Sequence, residues 1–184
     1  AIYQERGCRV LLLAGSQGQP KPGSLPADIV PLALIALNNP VRKEAPDTFA
    51  YFASQGVAVK VISGDDPLTV SRVAARAKIA DAGQYVDASG LATEEDMREA
   101  LGKYTVFGRV TPDQKRTFVR LLQAEGHTVA MTGDGVNDVL ALKDADCGVA
   151  MASGSDAARQ VAQLVLLNSD FSCMPQVVDE GRRV

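Results

Sequence analysis

Short apolar runs alternate with amphipathic stretches along most of this chain. Runs at 29–37 (IVPLALIAL), 57–62 (VAVKVI), 104–107 (YTVF), 128–131 (TVAM), 148–151 (GVAM) and 164–167 (LVLL) read as strands, with a minor one at 85–86, and 8–14 (CRVLLLA) is a further short apolar run. Between them, helical patterns are predicted over 46–55, 67–78, 93–101, 136–143 and 155–161, with another starting at Thr111 and a last helix from about 173. Several carry start signals. Pro46 and Pro67 stand at first helical positions, where a missing N–H costs nothing. Thr93 with Asp96, and Thr111-Pro112-Asp113-Gln114, have the form of capping boxes. The second of these helices would turn Phe118, Leu121 and Leu122 inward.

Strand–helix alternation at this spacing predicts an α/β fold with a parallel sheet covered by helices on both faces. Ligands in such folds sit at the carboxyl ends of strands. The segment at 15–26, rich in Gly and Pro, reads as a loop or linker. A boundary is therefore expected near Ala27, with residues 1–27 a leading piece and 28–184 the main domain.

Composition narrows the function classes. The 184 residues carry 19 Lys and Arg against 22 Asp and Glu, a net charge of −3. A nucleic-acid partner is not expected without a clustered positive surface. At 46% hydrophobic residues the chain can bury a core. The longest apolar run is nine residues and holds Pro31, against about 20 for a membrane span. No signal-peptide pattern is visible. Cys8, Cys147 and Cys173 are far apart without a CxxC, and His127 stands alone. Disulfide frameworks, multi-His metal sites and His-based triads are therefore not expected, and a soluble chain facing a reducing compartment is.

Three polar clusters fall at predicted strand ends. In Thr132-Gly133-Asp134-Gly135-Val136-Asn137-Asp138, two glycines permit a tight turn and close approach to a ligand. Asp134 on the turn and Asp138 four residues later can face one point, a hard-oxygen arrangement suited to Mg²⁺. The plainer alternative is a turn in which Asp134 or Asn137 only caps the helix. Ser63-Gly64-Asp65-Asp66-Pro67 offers a hydroxyl, a Gly and free N–H groups at a helix start, an anion site suited to phosphate. Its alternative is an ordinary strand-to-helix turn capped by Asp66. In Arg109 to Lys115 (RVTPDQK), Lys115 sits in the first helical turn, where a cation opposes the macrodipole, which hints at an anionic partner. Exposed lysines are common, and that is the alternative here. Together the clusters form the inventory that phosphoryl transfer needs. One part is missing: no Asp stands on an early strand as nucleophile.

These segments, in this order, resemble the phosphorylation domain of the P-type (E1–E2) cation-transporting ATPases, of the haloacid-dehalogenase-like superfamily. MTGDGVNDVLALKDADCGVAM at 131–151 is similar to the family's hinge motif, and VISGDDPLTV, FGRVTPDQK and Asn39-Pro40-x-Arg42 match further segments. The resemblance covers about 28–184. It implies a Rossmann-like, haloacid-dehalogenase-type sheet and an ATPase that uses ATP and Mg²⁺ through an aspartyl-phosphate to move a cation. Ser63 and Gly64 would hold the phosphoryl group and Lys115 neutralise its charge. Asp134 would ligate Mg²⁺, and Asn137 and Asp138 would support phosphate and metal geometry. Asp65 and Arg109 would lie toward the nucleotide. Ser63 stands for the more usual Thr, and Val139-Leu140 for Ala-Pro, a bacterial-subgroup feature.

The family's Asp-Lys-Thr-Gly-Thr segment, the bulk of its nucleotide domain and its membrane helices have no counterpart in these residues. The expectation is a fragment of a bacterial plasma-membrane transporter, its cytoplasmic phosphorylation domain, with 1–27 the tail of the nucleotide domain. The ion's ligands would lie on helices outside the chain, and a divalent cation such as calcium is only a guess. The sheet is expected to be opened by the absent strand and repaired by the runs at 8–14 or 29–37, or by a neighbouring chain in a strand-paired dimer. Alone, the fragment is expected to be catalytically silent yet to bind weakly. A free-standing phosphatase of the same superfamily and a non-catalytic binding module are the rival readings.

Overall fold

The computed structural model of the chain describes residues 9–18, 23–37 and 40–183. It divides into two compact units, Ala1–Pro40 and Val41–Val184.

The first unit is an antiparallel hairpin. β1 (Arg9–Gly15) pairs with β2 (Val30–Leu37), Arg9 opposite Leu37 and Gly15 opposite Val30. The register shifts between Leu13 and Ala14, where the facing residue is Pro31, which has no N–H to give the ladder. Leu12, Leu32 and Leu34 are 57%, 64% and 62% exposed. The two leading runs therefore satisfy each other's backbone and do not repair the main sheet. An apolar run specifies a strand but not its partner, which is why β2 joins β1 and the units divide at Pro40/Val41 instead of near Ala27. Asn39 lies outside the described residues.

The second unit is α/β with parallel pairings throughout. Its strands are β3 (Val61–Ile62), β4 (Tyr85–Asp87), β5 (Val106–Gly108), β6 (Ala130–Gly133), β7 (Cys147–Met151) and β8 (Leu164–Leu166). They form two three-stranded sheets, ordered β3-β5-β4 and β6-β7-β8. The helices are α1 (Ala45–Ser54), α2 (Pro67–Arg76), α3 (Glu94–Lys103), α4 (Pro112–Ala124), α5 (Val139–Asp144), α6 (Asp156–Val161) and α7 (Met174–Gly181). Both capping boxes form: Thr93 with Asp96 starts α3 and Thr111 with Gln114 starts α4. In each, two N–H groups that a helix start would orphan find side-chain acceptors.

The middle strands are the dry ones. Val106, Phe107 and Gly108 of β5 are all buried, and Phe107 packs on Phe118 of α4 with ring centroids 4.8 Å apart. Val149 and Ala150 of β7 are likewise buried. β3 and β6 are edge strands, half-buried, and Ile62 of β3 packs against both the β5–α4 core and the Met131–Leu142 core. The two sheets thus approach through β3 and β6, with no strand joining those edges among the described residues. β3 is shorter than its apolar run because β5 alone pairs with it, over Val61–Val106 and Ile62–Phe107. Lys60, just before it, donates to the carbonyls of Leu101 and Tyr104, both at 2.7 Å, closing the end of α3. Among the described residues, no helix is long and apolar enough to cross a membrane.

Candidate active site

The carboxyl ends of β3 and β5 are zipped together. The Ser63 N–H donates to the Phe107 carbonyl (3.0 Å), the Val110 N–H to the Ser63 carbonyl (2.9 Å) and the Arg109 N–H to the Asp65 carbonyl (2.8 Å). Gly108 permits this approach, since a Cβ there would stand 2.4 Å from Pro67 Cα. Within the turn, Ser63 Oγ accepts the Asp65 N–H at 3.2 Å. Asp66 Oδ1 accepts the Thr69 N–H at 3.2 Å, the N-cap of α2. Gly64 and Asp65 are exposed at the turn. A hydroxyl and the N-terminus of a ten-residue helix therefore meet at one strand end, an anion-binding arrangement. Asp66 caps that helix as the plainer reading of the segment required.

Arg109 adopts φ +53°, a conformation disfavoured for any side chain with a Cβ. Its guanidinium, about half exposed, donates to Asp87 at 2.7 Å and to Asp66 at 3.4 Å.

Lys115, on α4, places Nζ 2.7 Å from Asp138 Oδ1, with the two side chains 13% and 10% exposed. The other Asp138 oxygen accepts the Gly135 N–H at 3.2 Å. A Cβ at Gly133 would come within 2.6 Å of Asp138 Cβ, so that glycine makes room for the buried carboxylate. The lysine set against the helix dipole thus has an anionic partner inside the chain.

Asp134 and Asp138 are used differently. Asp134 is exposed, and its carbonyl accepts the Ser155 N–H at 2.7 Å. Gly154 backs onto it so closely that a Cβ would lie 2.6 Å from that oxygen. Its carboxylate has no hydrogen-bond or ion-pair partner among the described residues. It lines a cavity of about 300 Å³ with Arg42, Thr48, Ser153 and Asp170. Asn137 is exposed on the short 3₁₀ turn between β6 and α5. No group of three His, Cys, Asp or Glu side chains gathers into a metal cage among the described residues. One unpaired hard-oxygen donor fits Mg²⁺, which typically keeps several waters and completes its shell with phosphate oxygens.

The predicted residues fall in two halves. Ser63, Gly64, Asp65 and Arg109 are interlocked at the end of the first sheet; Asp134, Asn137 and Asp138 lie at the end of the second. Lys115 bridges them, on the helix after β5 but paired across to Asp138. Sequence reading missed Asp87, whose link to Arg109 leaves no local signal, and the close-approach glycines Gly108 and Gly154.

A parallel α/β unit whose polar turns stand at its strand ends defines a hydrolase-like fold of the dehalogenase type. The chain belongs to the haloacid dehalogenase-like hydrolase family, whose model matches residues 4–146. It is 55% identical over 180 residues to the calcium-transporting ATPase CtpE of Mycobacterium bovis, covering 97% of this chain and 22% of that protein. Identity to the probable cation-transporting ATPase exp7 of Streptococcus pneumoniae serotype 4 is 50% over 183 residues, covering 98% and 23%. The endoplasmic reticulum calcium ATPase srcA of Aspergillus fumigatus is 34% identical over 203 residues, covering 99% and 21%. The chain thus spans about a fifth of the length of these relatives. A solved catalytic domain of the CPx-ATPase CopB-B shares the fold, with a TM-score of 0.60 at 22% identity over 82% of this chain and 50% of that one.

Proposed function

We propose that residues 41–184 are the phosphorylation domain of a cation-transporting P-type ATPase, on the cytoplasmic side of a bacterial plasma membrane. Residues 1–27, and β2 paired with them, are the tail of its nucleotide domain. ATP is the phosphoryl donor, and the transported cation, a divalent ion such as calcium, binds to membrane helices outside this chain.

The observation that carries this reading is the pair of open strand edges flanked by prepared chemistry. Among the described residues β3 and β6 each lack a neighbour on one side, and at their carboxyl ends stand Ser63 and Asp134. A parallel strand supplied from elsewhere in the protein, ending in the acceptor Asp, completes the sheet between them. Ser63 and Gly64 then hold the phosphoryl oxygens, and Lys115 neutralises their charge while Asp138 and Asn137 orient it. Asp134 would hold Mg²⁺, which when bound would screen the phosphate oxygens from the attacking carboxylate. Asp65 and Arg109 face the nucleotide. The carboxylate attacks the γ-phosphorus, the bond to the bridging oxygen breaks, and ADP leaves with that electron pair. In the isolated chain the acceptor is absent, so no phosphoenzyme forms and the open edges favour strand pairing between copies.

The test uses γ-labelled ATP and Mg²⁺ followed by an acid quench. The complete ATPase should carry hydroxylamine-sensitive label, and the isolated 184-residue chain should carry none. Stable, hydroxylamine-sensitive label on the isolated chain would reveal an acceptor within it and overturn the reading.

A further inference from the structure

Asp87 lies outside the three polar sequence clusters, yet it is built into the nucleotide half of the site. It ends β4, directly opposite Gly108 of β5. One of its oxygens accepts both the N–H of Ser89 (3.0 Å) and its hydroxyl (2.6 Å). The other accepts the Arg109 guanidinium at 2.7 Å. The two oxygens thus play separate parts, Ser89 fixing the carboxylate and the carboxylate fixing the arginine. Bonds from Ser89 and the Arg109 charge hold its carboxyl below the ordinary carboxylate range.

Arg109 itself is the odd residue. At φ +53° a Gly or Asn would serve the turn at less cost. The surface pair with Asp87 returns little stability for that strain, because exposed ion pairs contribute little. The guanidinium is held by Asp87 through one terminal nitrogen and by Asp66 through the other, while 55% of the side chain stays open to solvent. A cation held in place yet still half open to solvent is arranged to meet an anion or a polar ligand.

We propose that Asp87 is a positioning residue for nucleotide binding, holding the Arg109 guanidinium in the place where it meets ATP. This rests on the reading of Arg109 as nucleotide-facing. A guanidinium freed from Asp87 keeps only the longer contact to Asp66 and must be ordered again at each binding event. The loss therefore falls on ATP affinity and leaves the phosphoryl-transfer step, at Ser63, Lys115 and Asp134, untouched.

The experiment is a double-mutant cycle in the complete ATPase, reading KM for ATP and kcat separately. Asp87→Ala should raise KM by about three- to tenfold, the loss of roughly one well-placed charged contact, with kcat within about twofold. Asp87→Asn, which keeps an acceptor without the charge, should fall between and covers the case in which the alanine variant does not fold. Arg109→Ala should raise KM at least as much, and adding Asp87→Ala to it should change KM by less than about 1.5-fold, because the two act as one unit. An unchanged KM in both Asp87 variants overturns the proposal, as does a rise that persists undiminished in the Arg109→Ala background. If Arg109→Ala leaves KM unchanged while Asp134→Asn abolishes the phosphoenzyme, the nucleotide role of Arg109 falls and Asp87 with it, but the phosphoryl-transfer reading stands. Wild-type phosphoenzyme in Asp134→Asn defeats that reading itself.

Discussion

Replacing Lys115 by Met should unfold this chain at a measurably lower temperature. Among the described residues the lysine is the sole cation bonded to Asp138, at 2.7 Å, with both side chains nearly buried. Removing it leaves a buried carboxylate with one remaining donor, the Gly135 N–H at 3.2 Å. Breaking a buried pair from one side costs about 3–5 kcal/mol, and the slight exposure of both groups places this one near the lower bound. Relief of a cation at a helix N-terminus returns roughly 0.3–1 kcal/mol. The net is a loss of about 2–3 kcal/mol, or about 4–12 °C in Tm for a chain of this size. Adding Asp138→Asn removes the stranded charge while keeping an acceptor for Gly135. The double variant should therefore unfold at a higher temperature than Lys115→Met alone. Thermal denaturation followed by circular dichroism measures both. A single variant as stable as the wild type, or a double variant no better than the single, would refute the account of this pair.

Asp134→Asn should shift stability by no more than about 0.5 kcal/mol, as an exposed side chain without partners among the described residues, while abolishing Mg²⁺-dependent phosphoenzyme in the complete ATPase; equal phosphoenzyme levels would contradict its metal role. Gly108→Ala should cost about 1–3 kcal/mol, because its Cβ meets Pro67 backbone at 2.4 Å, whereas Gly83→Ala, with nothing within 4 Å, should be neutral in the same denaturant titration. Asp144 accepts from Arg116 and Arg120, each at 2.7 Å, and the Arg116 bond above all depresses its pKa. A carboxyl lowered in the folded state stabilises above its unfolded value, and that stability is lost as pH falls through the folded one. Denaturation midpoints should thus decline below about pH 4, and Asp144→Asn should flatten part of that slope.

What could be read from the residues was local. Thr93 and Thr111 announced their helices because a capping box is satisfied within four residues, and both boxes close as expected. The turns after β3 and β6 were legible for the same reason: Gly and Asp at a strand end constrain their own backbone. Partnership was not legible. Nothing in IVPLALIAL says that β2 pairs with β1, and nothing near Asp87 says that Arg109 will reach it. The 3₁₀ turn Val136–Asp138 before α5 was read as helix, since its apolar spacing is the same; the Asp138 bond back to Gly135 tightens it. Gly133 looked like a turn residue, and only the fold shows that its bare Cα makes room for a carboxylate.

The split between the two sheets has a consequence for how the second unit breathes. In an ordinary doubly wound sheet, amide hydrogen exchange is slowest at the centre and fastest at the rims. Here the strand order runs β4-β5-β3 and then β6-β7-β8, with the exposed edges in the interior of the series. Slow exchange should therefore appear twice, at β5 and at β7, separated by a fast seam along β3 and β6. Local opening follows weak burial and missing neighbours, and β3 and β6 are only half-buried with no strand between them among the described residues. The Lys115–Asp138 pair crosses that seam together with the Arg116 and Arg120 bonds to Asp144, so the two sheets are held to each other by side chains of α4 and not by a strand ladder. Occupying the seam with one more strand would merge the two slow zones into one, making exchange rate a direct gauge of when the carboxyl ends of β3 and β6 are brought into register.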